Sequence, residues 1–405
     1  VWDVIVIGEG LAGLTAALRA AQRGREVLIV SEGSSSLLHA SGALNLGDFA
    51  QLAQLPGHPY QIVGRHVLDR AVAFFQDICP GYAGDSGAAK PVLTPLGTVR
   101  LAELLPRAFQ ATPLQTAKRI ILLAPQGLRD FFPDVIRVNL GQAFSSARVE
   151  VKELALPSFR SWQEQGLGIA PMVYQRYWAS AEGRAAIERL RRDLAAEGVA
   201  GFGETVAVFP GLAPDLDREP PGDEAGAKDL LPMVLMPSFP PAPAGAALAA
   251  ALERRFLRSG GELWRGSRVV GAVLGSSGSY CAGIIVRSKG KDISLRARSF
   301  ILASGGILGG GIVVGPARSA EETVFGLPLY APADWTRPDF LGTQPFAQTG
   351  VSVDPELRPL DPYSRARLLT NVRVAGRTLA HWDPWTEHCG GGVSLATGYL
   401  AGELA

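Results

Sequence analysis

An apolar run, Val4-Ile5-Val6-Ile7, breaks into Gly8-Glu9-Gly10-Leu11-Ala12-Gly13 and continues as a helical stretch to about Arg23. A strand that ends in G-x-G-x-x-G and opens a helix matches the first turn of a dinucleotide-binding β-α-β unit. The first glycine makes the tight turn, the second lets backbone approach a pyrophosphate, and the third lets the helix pack closely on the sheet. The helix then offers unpaired N–H groups and the positive end of its dipole to a diphosphate. A second strand, 26–30, follows Gly24 and runs into Ser31-Glu32. The Glu32 carboxylate therefore falls about 20 residues past the glycines, where a ribose diol needs an acceptor.

The bulk numbers bound the remainder. A chain of 405 residues is long enough for two or more structural units with ample core. A net charge of +1 leaves no electrostatic footprint for nucleic acid or an anionic membrane. Cys79, Cys281 and Cys389 are widely spaced with no C-x-x-C, so this chain alone offers no iron–sulfur or zinc-ribbon site, and a reducing compartment is expected. No metal-ligand spacing is present, and no signal peptide is evident. The uncharged stretch from Ser299 to Ala317 holds six glycines, which argue for turns around a ligand instead of a membrane span.

Along the chain, residues 1–50 read as the first part of the nucleotide-binding domain. Residues 51–236 change texture: helical patterns at 67–75 and 181–196 surround Arg119-Ile120-Ile121-Leu122-Leu123, a buried parallel strand followed by Gly127 and a helix. This is the pattern of an inserted second α/β domain. Residues 210–229, rich in proline, glycine and charge, are expected to form an exposed loop. From 237 to 310 the first domain resumes: a helix to Arg258, a strand at 262–265, a β-meander at 268–274, 281–287 and 292–296, and the buried strand Phe300-Ile301-Leu302-Ala303 ending at Ser304-Gly305-Gly306. Residues 311–365 return toward the inserted domain. Residues 366–405 supply a last strand, Asn371 to Ala375, its glycine Gly376, and a helix after Cys389-Gly390-Gly391-Gly392.

This order resembles the two-dinucleotide-binding-domain flavoproteins of the glutathione-reductase type, in the branch that contains the succinate dehydrogenase and fumarate reductase flavoproteins. The fold class expected is α/β, a Rossmann-like FAD-binding domain with an inserted second α/β domain. Within the branch, His58-Pro59-Tyr60, Thr94-Pro95-Leu96-Gly97-Thr98-Val99-Arg100, Ser41-Gly42-Ala43-Leu44-Asn45-Leu46 and Asp383-Pro384 with Cys389-Gly390-Gly391-Gly392-Val393 resemble the B-subunit family of anaerobic glycerol-3-phosphate dehydrogenase. The resemblance implies two partners, a catalytic flavoprotein A subunit, and an iron–sulfur C subunit. It also implies oxidation of sn-glycerol 3-phosphate to dihydroxyacetone phosphate with electrons passed to quinone. The implied location is cytoplasmic, peripheral at the inner face of the membrane through those partners, with no direct span. The alternatives are an electron-relay or structural flavin subunit without its own substrate site, or a flavin dehydrogenase for another hydroxy acid or polyol phosphate. The family is associated with FMN. However, Gly8, Gly10, Gly13 and Glu32 describe a pyrophosphate and a further ribose, which FMN lacks. Noncovalent FAD is therefore favoured, with FMN as the alternative.

Further candidates follow from these elements. Ser41, Gly42, Gly305, Gly376 and Asp383 are expected at the cofactor, Asp383 either accepting from a flavin-side hydroxyl or capping a turn. Gly390, Gly391 and Gly392 can bring bare N–H groups to the ring edge where a reduced flavin carries negative charge. Cys389 reads as a small buried side chain beside the flavin. His39 lies where some relatives attach flavin covalently, but its flanking residues depart from theirs. Arg100, with Lys118 and Arg119 as further candidates, offers a fork for a phosphate or carboxylate. His58, His381 and His388 are candidate proton-transfer groups, of which only His58 sits in a matched motif, and no carboxylate near them in sequence orients any of them.

Overall fold

The computed structural model describes residues 1–196, 204–216, 231–316 and 319–405, so the expected exposed loop at 210–229 lies outside the described residues from 217 on. The chain divides into two compact units. The first comprises Val1–Ser36, Leu44–Ile78 and Ala249–Ala405; the second comprises Leu37–Ala43 and Cys79–Leu248. Residues 51–78, read from the sequence as part of the insert, thus fold with the first unit. The helix Arg65–Ile78 shows the reason: Leu68, Ala71, Val72 and Phe75 share one face and are buried, and Phe74 meets Tyr399 edge-on at 5.5 Å.

The first unit is built on a five-stranded sheet in the order Glu262–Arg265, Val27–Ser31, Trp2–Ile7, Ala297–Leu302, Val372–Val374. Every pair is parallel: Val4, Ile5 and Val6 lie beside Val27, Leu28 and Ile29 on one side and Ser299, Phe300 and Ile301 on the other. Strands covered on both faces must be apolar at every position, and this accounts for the unbroken hydrophobic runs in the sequence. The antiparallel meander follows as expected, from strands Ser267–Leu274, Cys281–Ser288 and Lys291–Leu295. The uncharged stretch after Ser299 is a strand end, turns and the short strand Ile312–Val314. Among the described residues no helix is long and apolar enough to cross a membrane.

The opening helix, Leu11–Gln22, packs against the closing helix, Gly390–Leu404. Two small residues one turn apart bring them together. A Cβ on Gly398 would lie 2.4 Å from the Ala12 carbonyl oxygen, and one on Gly402 would lie 2.3 Å from that of Ala16. The closing helix thus presses on the first turn of the opening helix and fixes where that turn points.

The second unit carries its own four-stranded parallel sheet, in the order Met233–Met236, Thr205–Pro210, Arg119–Pro125, Arg148–Leu154. Its strand alternation supplies two cores. Ile120, Leu122, Val206 and Val208 face Ile136 and Leu140 of the helix Pro133–Ala143, while Ile121, Leu123, Ala207 and Phe209 face Tyr174 and Trp178. The Thr94–Thr98 segment is the turn of a hairpin between Lys90–Leu93 and Val99–Ala102, closed by Thr94 N–H to the Thr98 carbonyl at 2.8 Å.

Candidate functional site

At the fingerprint, each glycine has a separate reason. Gly8 sits at φ +107, and a Cβ there would lie 2.3 Å from the Ala303 carbonyl oxygen. Gly13 is forced by the Gly8 carbonyl oxygen, 2.0 Å from its built Cβ. Gly10 is different: the nearest protein atom to its built Cβ is Ser36 Oγ at 3.7 Å, and its φ of −72 suits any residue. The protein's own packing does not require a glycine at that position, so the open space is left for something else. The helix N-cap is Gly10, without a side-chain cap, and the first intrahelical bond is Leu14 N–H to the Gly10 carbonyl at 2.9 Å. Leu11, Ala12 and Gly13 N–H groups have no partner earlier in the helix, and no acid lies in its first turn. This is a cradle that fits a diphosphate.

Glu32 directly follows its strand and is exposed, with one distant partner among the described residues, Arg268 Nε at 3.7 Å, so its carboxylate can accept from ribose hydroxyls. The neighbouring acid, Glu9, has no counterpart among the sequence candidates. It is buried inside the glycine turn and gripped by Arg265, whose Nε reaches both carboxylate oxygens at 3.1 Å and whose Nη2 reaches Oε2 at 3.0 Å. Burial pushes the Glu9 carboxyl up from its ordinary range, and the guanidinium pulls it back. The pairing matters electrostatically, because a bare carboxylate here would oppose a diphosphate. No local pattern signals it, since Arg265 lies on the far edge strand.

The remaining glycines are explained mostly by packing. Gly305 turns the chain at φ +82 after the strand Ala297–Leu302. Gly376, at φ +69, presses on the opening helix, its built Cβ 2.7 Å from Ala12 Cβ, and its N–H donates to Thr397 Oγ1 at 2.9 Å. Gly390, Gly391 and Gly392, expected as a loop before a helix, form the first turn of that helix. A Cβ on Gly391 would meet Leu44 Cβ at 2.8 Å, and one on Gly392 would meet the Tyr60 hydroxyl at 1.8 Å. The Gly392 N–H is taken by the Asn45 carbonyl at 3.0 Å, which leaves Gly390 and Gly391 at the uncapped start. Asp383 is buried and Oδ1 caps its own turn, accepting the Trp385 N–H at 2.9 Å.

His58 is fully buried and committed at both ring nitrogens. Nδ1 accepts the Tyr60 N–H at 3.0 Å and so caps the helix Pro59–Val63; Nε2 lies 3.2 Å from Glu387 Oε2. An Nδ1 acceptor requires the proton on Nε2, which donates to the carboxylate. No carboxylate near His58 in sequence orients it; Glu387 does so from the other end of the chain. The same oxygen also accepts the Asp383 N–H at 3.0 Å and the Cys389 thiol at 3.6 Å. Burial first, then the acids, push the Cys389 thiol well above its ordinary range, so it stays protonated and is a poor redox thiol. The donor atoms of His58, Glu387 and Cys389 lie within 4.8 Å of one another, close enough for a metal ion. A neutral metal-bound histidine, however, carries its proton on the other nitrogen, which here faces the Tyr60 N–H. The cluster is a hydrogen-bond hub.

Other candidates lie in different settings. Ser41 and Gly42 belong to the second unit, where Ser41 Oγ accepts from Arg100 Nη2 at 2.9 Å and the Gly42 carbonyl accepts from the Tyr82 hydroxyl at 2.5 Å. Burial lowers the pKa of Arg100. Lys118 and Arg119 do not join it as an anion site: Lys118 pairs with Glu204 at 2.5 Å and Arg119 with Glu150 at 2.7 Å, each satisfied by a strand neighbour. His39 ends a short 3-10 turn in the second unit. His381 Nε2 lies 3.1 Å from Ser352 Oγ, with its ring 3.9 Å from that of Tyr330, and burial lowers its pKa. His388 sits at φ +50 in the turn before the closing helix.

A model of the FAD binding domain family matches residues 3–393. The chain belongs to this family. It is a flavin-dependent oxidoreductase, and of the two flavin forms left open by the sequence its cofactor is FAD. Its similarity to curated proteins runs end to end. It is 27% identical to the B subunit of anaerobic glycerol-3-phosphate dehydrogenase from Vibrio cholerae serotype O1, over 99% of this chain and 96% of that one. The Yersinia enterocolitica protein of the same name is 29% identical, over 99% of this chain and 97% of the relative. Among solved structures, a 3-ketosteroid-Δ4-(5α)-dehydrogenase from Rhodococcus jostii RHA1 is 14% identical at a TM-score of 0.37, covering 100% of this chain and 95% of that one.

Proposed function

We propose that this chain is the B subunit of a membrane-associated anaerobic glycerol-3-phosphate dehydrogenase, acting with a flavoprotein A subunit, which is catalytic, and with an iron–sulfur C subunit. The complex would oxidise sn-glycerol 3-phosphate to dihydroxyacetone phosphate and deliver the electrons to quinone. The observation that carries the reading is end-to-end similarity to proteins of that name in a chain whose opening helix forms a diphosphate cradle.

Bound FAD supplies the two-electron chemistry. The protein's part is to bind and orient. The uncapped amides of Leu11, Ala12 and Gly13 would hold the diphosphate and Glu32 would take the ribose diol, while Arg265 offsets the Glu9 charge in the same turn. The uncapped start of the closing helix, at Gly390 and Gly391, would offer its positive end to negative charge on a reduced ring. Arg100 is the anion-binding candidate for a phosphorylated substrate, with Ser41 holding its guanidinium.

An electron-relay role, with substrate oxidised on the flavoprotein partner, is favoured by one observation. His58, the motif histidine, has both nitrogens engaged and no lone pair for an alcohol proton. The two roles separate on anaerobic addition of glycerol 3-phosphate to the purified chain. If the chain is itself the dehydrogenase, its flavin bleaches in isolation, whereas a relay bleaches only with its partner present. Flavin that bleaches in neither case contradicts both.

A further inference from the structure

Arg377 carries a charge that no ion pair among the described residues of the first unit meets. Its Nη2 donates to the Ala347 carbonyl, while Nη1 is shut off from solvent and has no hydrogen-bond partner among the described residues. The guanidinium lies 5.4 Å from the ring of Trp382 and 5.6 Å from that of Trp385. Asp383 and Glu387 act on it through space, and among the described residues neither forms an ion pair with it. Desolvation accordingly pushes its pKa down from the ordinary arginine value. A mostly buried cation with no ion-pair partner among the described residues is expensive, and one unsatisfied donor adds to the cost.

Its position says what could relieve that cost. Arg377 lies in the turn Gly376–Thr378, just past the strand Val372–Val374, at the carboxyl end of a parallel sheet where α/β folds take their ligands. Gly376 holds this turn against Ala12 in the first turn of the opening helix. The arginine stem crosses the glycine turn that follows the strand Ala297–Leu302: a Cβ on Gly306 would lie 3.0 Å from Arg377 Cγ. Three buried hydroxyls around the same segments also have no partner among the described residues. They are Thr378, next in sequence, Thr349, two residues past Ala347, and Ser304, two before Gly306. Buried polar groups in native proteins are nearly always paired, so unpaired donors on Arg377 and on the segments that it touches point to an absent acceptor-rich group.

We propose that Arg377 is an anion-binding residue of the FAD unit and that its anion is a phosphate ester. A phosphate offers several acceptor oxygens to a guanidinium fork and to hydroxyl donors together. Two sources share that chemistry, the diphosphate of FAD and the phosphate of a phosphorylated substrate. The inference rests on FAD binding to this unit and not on glycerol 3-phosphate being the substrate.

The test uses the full chain with Arg377→Ala, Arg377→Lys and Arg377→Gln, titrating apoprotein with FAD, ADP and riboflavin, and holoprotein with sn-glycerol 3-phosphate by flavin difference spectrum. If the anion is the cofactor's, FAD and ADP weaken at least tenfold in the alanine and glutamine variants, riboflavin is unchanged, and lysine restores most of the affinity. If it is the substrate's, FAD binding is unchanged and the half-saturating glycerol 3-phosphate rises at least tenfold. The proposal is overturned if the glutamine variant matches wild type in every titration, or if riboflavin weakens as much as FAD. Should the alanine variant not fold, the lysine and glutamine pair carries the comparison. Wild-type apoprotein that takes up no FAD would defeat the cofactor reading before any variant is made, so the two failures are distinguishable.

Discussion

Gly10→Ala separates ligand binding from folding at the fingerprint. The backbone at Gly10 is extended, so alanine fits without strain, and its Cβ would lie no closer than 3.7 Å to Ser36 Oγ. Stability should barely change. Alanine is worse than glycine at an N-cap by about 0.5–1 kcal/mol, and loses less entropy on folding by about 0.4–1 kcal/mol. The added methyl group instead enters the space through which a diphosphate approaches the amides of Leu11 and Ala12. Loss of one hydrogen bond to a charged group costs about 1.5–3 kcal/mol, so the FAD dissociation constant should rise roughly ten- to hundredfold. Flavin-fluorescence titration of apoprotein reads the affinity, and a thermal melt of the same sample reads the fold. Gly13→Ala is the contrast: its methyl would lie 2.0 Å from a backbone carbonyl oxygen, and that variant should lose the fold itself. A Gly10→Ala protein that melts like wild type and binds FAD equally well would refute the reasoning.

Glu9→Gln should stabilise the protein relative to wild type more at pH 7 than at pH 4, measured by urea unfolding. Burial raises the folded-state pKa of Glu9, so the stability of its neutral form is present at low pH and is lost as pH rises through that raised value; a pH-independent difference contradicts this. His58→Ala removes a helix cap and a donor to the Glu387 carboxylate, and should cost about 2–4 kcal/mol in unfolding free energy; a variant of unchanged stability but no activity would instead make His58 a proton-transfer residue. Gly398→Val drives a side chain into the Ala12 carbonyl, 2.4 Å from the built Cβ, and should release FAD together with a clear drop in melting temperature; retained cofactor at an unchanged melting temperature would show that the two helices are not locked as described.

The first unit's strands were legible because a sheet covered on both faces leaves continuous apolar runs, and its glycine turns stand directly after them. Packing reasons were not legible. Gly391 and Gly392 read as a loop before a helix in sequence, yet they form its first turn, and Leu44 and Tyr60 leave no room there for a side chain. Equally hidden were the partners of buried charge. Glu387 meets His58, and Arg265 meets Glu9, across most of the chain's length, and no local pattern encodes such a pairing. The partners of Lys118 and Arg119 were hidden in the same way: each is paired with an acid distant in sequence, Glu204 and Glu150. Arg377 escaped notice because a lone arginine after a strand is ordinary until its buried guanidinium is seen to have an unpaired donor and no ion pair among the described residues.

The most direct measurement of the central claim is made on the cofactor that co-purifies with the chain. Fluorescence of the acid extract should rise on phosphodiesterase treatment, because cleaving the diphosphate bridge of FAD frees the flavin from its adenine. A colourless protein that cannot be reconstituted with FAD, or an extract whose fluorescence does not change, would contradict it.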